Sequence, residues 1–192
     1  FIMTADAGSP MAPQPWSVVT PAPRSNARDT NGDFTPFGEL YAAWDNSATV
    51  GTNKLYFVHN KGTRKRLTNT LTSTPNGASI RVNDSSTQWT LVPSPTSGQY
   101  YVVSSRDGRR LSFINAGAVN FVAAGTTGTA VQWRLVESQF GWFYLEHPAT
   151  SKRLQLAYNN TTSAATYTMA AIATTTDAVQ WRFIVPLNTP TW

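Results

Sequence analysis

The 192-residue chain contains no cysteine, so neither a disulfide framework nor thiolate chemistry is open to it. Charge is scarce: 13% of residues are Asp, Glu, Lys or Arg. The ten acidic residues are scattered, and none recurs in a pattern that suggests a paired-carboxylate glycosidase. There are two histidines, His59 and His147, and without flanking acidic partners they make a poor metal site. No apolar run is long enough to span a membrane as a helix. Neither a phosphate-binding loop, a metalloprotease helix nor a nucleophile elbow can be found, so the sequence implies a non-enzyme with no cofactor and no metal. Helical periodicity is missing as well.

What is abundant is Thr, Ser, Asn and Gly, the composition of a β-rich chain with many turns. The strongest signal is repetition. Gln88-Trp89 returns as Gln132-Trp133 and Gln180-Trp181, each followed by an apolar run. Upstream of each stands a basic residue and a leucine: Arg66-Leu67, Arg110-Leu111 and Arg153-Leu154. Before that comes a strand-like run: Tyr56-Phe57-Val58, Tyr100-Tyr101-Val102 and Phe143-Tyr144-Leu145. Leucine and tryptophan are 22 residues apart in the first two copies and 27 in the third, which places an insertion near Asn159–Ala165.

The repeats are read as 52–94, 98–138 and 141–186, each of four short strands. The expected strands include 78–82 in the first copy, 131–136 in the second and 179–185 in the third. One repeat cannot bury its own apolar face, so the three must share a core. Six strands closing a barrel and six forming three capping hairpins is the solution that leaves no sheet edge. Trp89, Trp133 and Trp181 ride on the repeat and are assigned to the core.

Residues 1–51 form a Pro-rich extension or linker expected to dock on the repeats through Trp16, Phe34 and Phe37. A strand and turn are expected over 37–51, with a short helix over Glu39–Trp44 as the alternative. Residues 187–192 are a tail. A chain beginning Phe1-Ile2-Met3 without a signal-peptide pattern is expected to be cut from a longer, multidomain protein.

The repeated Gln-Trp strand, the turn-basic-Leu words (Gly62 to Leu67, Gly108-Arg109-Arg110-Leu111, Ser151-Lys152-Arg153-Leu154) and the Asn76-Gly77 loop resemble the ricin-B-type lectin β-trefoils, also called family 13 carbohydrate-binding modules. The resemblance covers about 52–186. It implies an all-β trefoil that binds sugars in shallow pockets without catalysis. It differs at the position where the family carries a sugar-gripping Asp, which here is Thr68, Ser112 or Gln155. The Gln that the family places two residues before Trp is here Thr87, Val131 or Val179.

Two sets of residues are site candidates. Polar and aromatic groups following the leucine suit sugar hydroxyls and apolar sugar faces: Thr68, Asn69, Ser112, Asn115, Gln155, Tyr158, Asn159 and Tyr167. Their alternative reading is turn residues and core aromatics. The basic turns, with Arg64, Arg66, Arg109, Arg110, Lys152 and Arg153, suit sulfate or carboxylate groups. Their alternative reading is solvated charge that protects sheet edges. The net charge of +5 favours anionic partners without choosing among them. The expectation is a secreted carbohydrate-binding module that holds a polysaccharide-active enzyme on a polysaccharide or oligosaccharide, with no nucleic-acid partner. A protein-binding trefoil or a glycoside-hydrolase fragment are the alternatives.

Overall fold

A computed structural model describes residues 50–114, 117–139, 141–159 and 164–186. The extension up to residue 49, the tail from 187, Asn115 and residues 160–163 of the insertion lie outside the described residues.

Among the described residues there are twelve strands, four per repeat. The first repeat contributes β1 (Leu55–Asn60), β2 (Arg66–Thr68), β3 (Asn76–Ala78) and β4 (Gln88–Pro93). The second contributes β5 (Tyr100–Ser104), β6 (Arg110–Phe113), β7 (Val119–Val122) and β8 (Arg134–Gln139). The third contributes β9 (Trp142–His147), β10 (Lys152–Asn159), β11 (Ala164–Ala171) and β12 (Gln180–Ile184).

Six of them close a barrel. β1 pairs with β4 and β12, β4 with β5, and β9 with β12 and β8. The ring closes where Tyr100 and Trp133 exchange backbone hydrogen bonds of 2.7 and 2.8 Å between β5 and the start of β8. The remaining strands form three antiparallel hairpins, β2–β3, β6–β7 and β10–β11, that cap the barrel. This is the barrel and cap expected from the repeats, and it is a β-trefoil.

The repeated words have repeated jobs. Trp89, Trp133 and Trp181 are fully buried, and each indole N–H donates to the carbonyl of its repeat's leucine: Leu67 at 2.9 Å, Leu111 at 2.9 Å and Leu154 at 3.0 Å. A buried indole needs one such acceptor, and the leucine carbonyl at the barrel–hairpin junction supplies it. A single turn of 3-10 helix leads into each tryptophan strand at Ser85–Thr87, Thr129–Val131 and Asp177–Val179. Its last residue, Thr87, Val131 or Val179, is buried. The strand expectations at 131 and 179 therefore begin too early, because the chain turns tightly there before entering β8 and β12.

The expected 78–82 strand is also displaced. β3 ends at Ala78, and the chain folds back, with the Val82 amide donating to the Ser79 carbonyl at 3.0 Å. The Val82 carbonyl is held instead by the Arg66 guanidinium at 2.8 Å.

The insertion lengthens one hairpin. β10 and β11 have eight residues each and pair from Lys152–Ala171 to Asn159–Ala164. Hairpin one meets this long hairpin closely: a Cβ on Gly77 would lie 3.4 Å from the Ala165 Cβ and 3.1 Å from that of Lys65. Hairpin two joins hairpin one through the Phe121 amide, 2.7 Å from the Ser73 carbonyl.

Candidate functional site

The turn before each hairpin holds the basic residues, and its backbone is nearly the same three times. Arg64, Gly108 and Ser151 sit at equivalent places with φ of 58, 76 and 50°, the left-handed region. Asn60 and Ser104 amides close the first two turns onto the carbonyls of Lys65 and Arg109, each at 2.9 Å.

The arginine that follows is structural. Arg66, Arg110 and Arg153 lie over Phe57, Tyr101 and Tyr144 with 3.6, 3.8 and 3.5 Å from guanidinium carbon to ring centroid. Each also donates from Nη1 to a loop carbonyl, of Val82, Thr126 or Thr174. A guanidinium flat on a ring with a carbonyl at its edge is well satisfied, and it braces the loop ahead of the 3-10 turn. These three arginines thus face the chain itself and not an incoming anion.

Repeat two's turn is likewise committed internally. Arg109 pairs with Asp107 at 3.1 Å and donates to the carbonyls of Leu71 and Thr72 at 3.1 and 3.0 Å. Arg106 reaches the Asn69 carbonyl at 3.1 Å, and the Asn69 amide reaches Asp107 and Ser104 at 2.8 and 3.0 Å. The turn of repeat two clamps the hairpin loop of repeat one.

The sugar candidates are mostly drawn inward. Thr68, Asn69 and Ser112 are buried, and Thr68 donates to the Ser86 carbonyl at 3.2 Å. Alternation turns Thr68 and Ser112 away from the face that their leucines bury, but β2 and most of β6 are covered on both faces. Tyr167 is buried too, its ring stacked on Trp181 with centroids 6.0 Å apart. Its hydroxyl has no hydrogen-bond partner among the described residues, and burial pushes its pKa up. Gln155 stays half-buried on β10 opposite Thr168. Tyr158 and Asn159 lie on β10, and their side chains are outside the described residues, as is Asn115.

Of the expected cations, Arg64 and Lys152 keep access to solvent, and neither has an ion pair among the described residues. Lys152 matters more, because it lines a cavity of about 360 Å³ between hairpins two and three. Phe113, Ala118 and Val119 form one wall, and Tyr167, Thr168 and Met169 the other. The Lys152 ammonium lies 5.5 Å from the Phe113 ring centroid. It is a half-open cleft with a mostly apolar lining and a few polar groups, and its volume is that of a small-ligand site. Sequence reasoning singled out Lys152 and Tyr167 but missed Phe113, Val119 and Met169. No word in the repeat marks them, since the cavity is built between two repeats.

The two histidines stand one register apart in their repeats. His59 pairs across the sheet with Arg66 and Arg182, the place that Glu146 takes between Arg153 and Arg134. Burial, then Arg66, Arg182 and Arg64, hold the His59 pKa down to about 3. His147 donates from Nε2 to the Ala130 carbonyl at 3.1 Å and accepts from Thr150 at 2.9 Å. Burial lowers its pKa, while backbone carbonyls of Ala130 and Thr129 oppose the shift. Among the described residues no three His, Cys, Asp or Glu side chains gather as a metal site, and no helix is long and apolar enough to cross a membrane.

Scans against protein-family models and curated protein sequences give no match. Solved structures do match. A designed 3-fold symmetric protein, ThreeFoil, superposes with TM-score 0.58 at 24% identity, over 68% of this chain and 97% of its own. The Macrolepiota procera ricin B-like lectin, solved with lactose, gives 0.60 at 17%, over 72% of this chain and 100% of the lectin. A Clostridium perfringens endo-β-galactosidase that releases GlcNAcα1-4Gal gives 0.57 at 15%, over 69% of this chain and 32% of that one. The chain thus spans about a third of that enzyme's length. It is a β-trefoil, with a ricin B-like lectin among the structures that share its fold.

Proposed function

We propose that this chain is a glycan-binding trefoil whose ligand enters the cleft between hairpins two and three. The observation that carries the reading is that cleft: Ala118 and Met169, backed by the buried Phe113 and Tyr167 rings, offer apolar surface to a sugar face, and Lys152 and Thr168 offer donors to its oxygens. The shared fold with a lactose-bound lectin supports it. Gln155, on the strand that carries Lys152, extends the polar rim.

The fold also occurs within a glycan-cleaving enzyme, which supports the finer reading of a secreted accessory module that keeps a polysaccharide-active enzyme on its substrate. Weak single-site contact is enough for that task when the enzyme's own site engages the same polymer. Leu71 and Ile114, exposed on hairpins one and two, favour a protein-docking surface as the second reading.

A glycan array on the chain tests the proposal, with neutral and sulfated galactans and arabinoxylans at low and physiological salt. Binding to a defined glycan that persists at physiological salt is expected. Absence of binding to every glycan would remove the carbohydrate reading and leave the protein-docking surface.

A further inference from the structure

The three grooves between hairpins are related by the repeat, yet they differ in what answers their cation. Lys65, Arg109 and Lys152 occupy equivalent positions, each directly before the stacked arginine. In the groove between hairpins one and two, Arg109 is met by the carbonyls of Leu71 and Thr72 and by the Asp107 carboxylate. The acceptors come from the chain, and the groove is shut. Between hairpins one and three, a Cβ on Gly77 would already lie in van der Waals contact with Ala165, and the Lys65 stem packs beside Gly77. Between hairpins two and three the walls stand apart. Lys152 faces Phe113, and no acidic residue lines the cavity. The same cation that finds oxygen acceptors from within the chain in one groove borders a ligand-sized space in another.

A second feature points to the same place. The Tyr167 side chain lines the cavity, is 6% exposed, and carries a hydroxyl with no hydrogen-bond partner among the described residues. A buried hydroxyl is costly unless a partner arrives. An ammonium beside an aromatic ring, in a cleft with no acidic residue among its lining, is chemistry for a sugar ring that carries an acidic group.

Resting on the glycan-binding reading, we infer that this cleft is the one sugar site among the described residues and that it selects glycans bearing a carboxylate or sulfate, with Lys152 as the group that recognises the anion. The described part of the trefoil is then monovalent and acid-selective, in contrast to a lectin with three like sites. An ammonium is a compact point charge that accepts either anion, so the two sources share one recognition chemistry.

Isothermal titration on the intact chain tests this with three probes of equal length: galacturonic acid oligomers, sulfated galactan oligomers and neutral galactan oligomers. One of the two acidic series binds more tightly than the neutral series, and the arm that wins identifies the anion. Lys152→Gln weakens that series about tenfold, the worth of one charge-assisted hydrogen bond at a half-buried site, while Lys152→Arg retains most of it. Lys65→Gln, at the equivalent turn, has no effect. Ala118→Trp, which fills the open groove from its exposed wall, abolishes binding of all probes. Thermal unfolding of each variant separates loss of binding from loss of fold. Acidic-glycan binding unchanged in Lys152→Gln overturns the inference and leaves the glycan reading standing. Equal loss in Lys65→Gln overturns the single-site claim. No binding of any probe removes the glycan reading itself.

Discussion

Repeats one and three place different residues in one socket. In repeat three, Glu146 is 3% exposed and receives Arg153 through Nε and Nη2 at 3.1 and 3.0 Å, and Arg134 at 3.2 and 2.7 Å. In repeat one, His59 is 4% exposed and lies between the corresponding Arg66 and Arg182. In repeat two the position is Val103, between Thr90 and Arg110. A carboxylate, an imidazole and an isopropyl group are thus carried by the same backbone. The difference teaches which parts of the repeat hold the fold. The indole-to-leucine hydrogen bond and the arginine-on-ring stack occur three times without exception, and the residue between the arginines is free to change. The balance of charge around it changes with it.

The largest expected effect attacks what the repeats share. Trp89→Ala or Trp181→Ala should each cost about 3–5 kcal/mol in denaturant unfolding, through a cavity and an orphaned leucine carbonyl. A marked inequality between the two would break the equivalence of the repeats.

Next comes the socket of repeat three. Glu146→Gln should cost about 3 kcal/mol, because Arg153, with 11% of its side chain exposed, loses its counter-charge. Arg134, 48% exposed, is screened and should matter less: Arg134→Ala should cost about 1 kcal/mol or less by the same measurement.

The socket of repeat one should be the acid-sensitive one. His59 has a folded pKa below its unfolded value, so its stabilising contribution is complete above about pH 6.5 and is lost as the pH falls toward about 3. Each proton taken up steepens the decline by at most about 1.4 kcal/mol per pH unit. His59→Val, which installs the residue of repeat two, should flatten stability between pH 6.5 and 3 without altering it as much at pH 7. An unchanged pH profile would assign the acid limb to His147, whose pKa is also lowered.

The smallest effect lies in the turns. Arg64 holds φ of 58°, where repeat two has Gly108 at 76°. Arg64→Gly should stabilise by about 0.5 kcal/mol, while Gly108→Ala should cost about 1 kcal/mol, because its Cβ would also lie 3.2 Å from the Ala124 Cβ. Thermal melts of both variants check this.

Much of the fold was legible in the sequence. A period of about 44 residues, three tryptophans and three basic-Leu words require three units around one core, because no single unit buries its own apolar face. The candidate site was less legible. Thr68, Asn69 and Ser112 are polar and follow a turn, which suits a surface, yet the barrel mouth covers them. Arg66, Arg110 and Arg153 look like anion ligands in one dimension. Their rings nine residues upstream and carbonyls sixteen or more downstream become neighbours only when the strands pair.

The sequence by itself determined the threefold architecture, the buried tryptophans and the position of the insertion, because local periodicity and spacing dictate strands and their order. Tertiary structure alone decided which cations answer to the chain and which face a cavity. That outcome depends on gaps between hairpins of different repeats, and such gaps follow from packing across long sequence separations. Arg109 and Lys152 stand at the same place in the same word. The loop of hairpin one reaches the first, and hairpins two and three stand apart around the second.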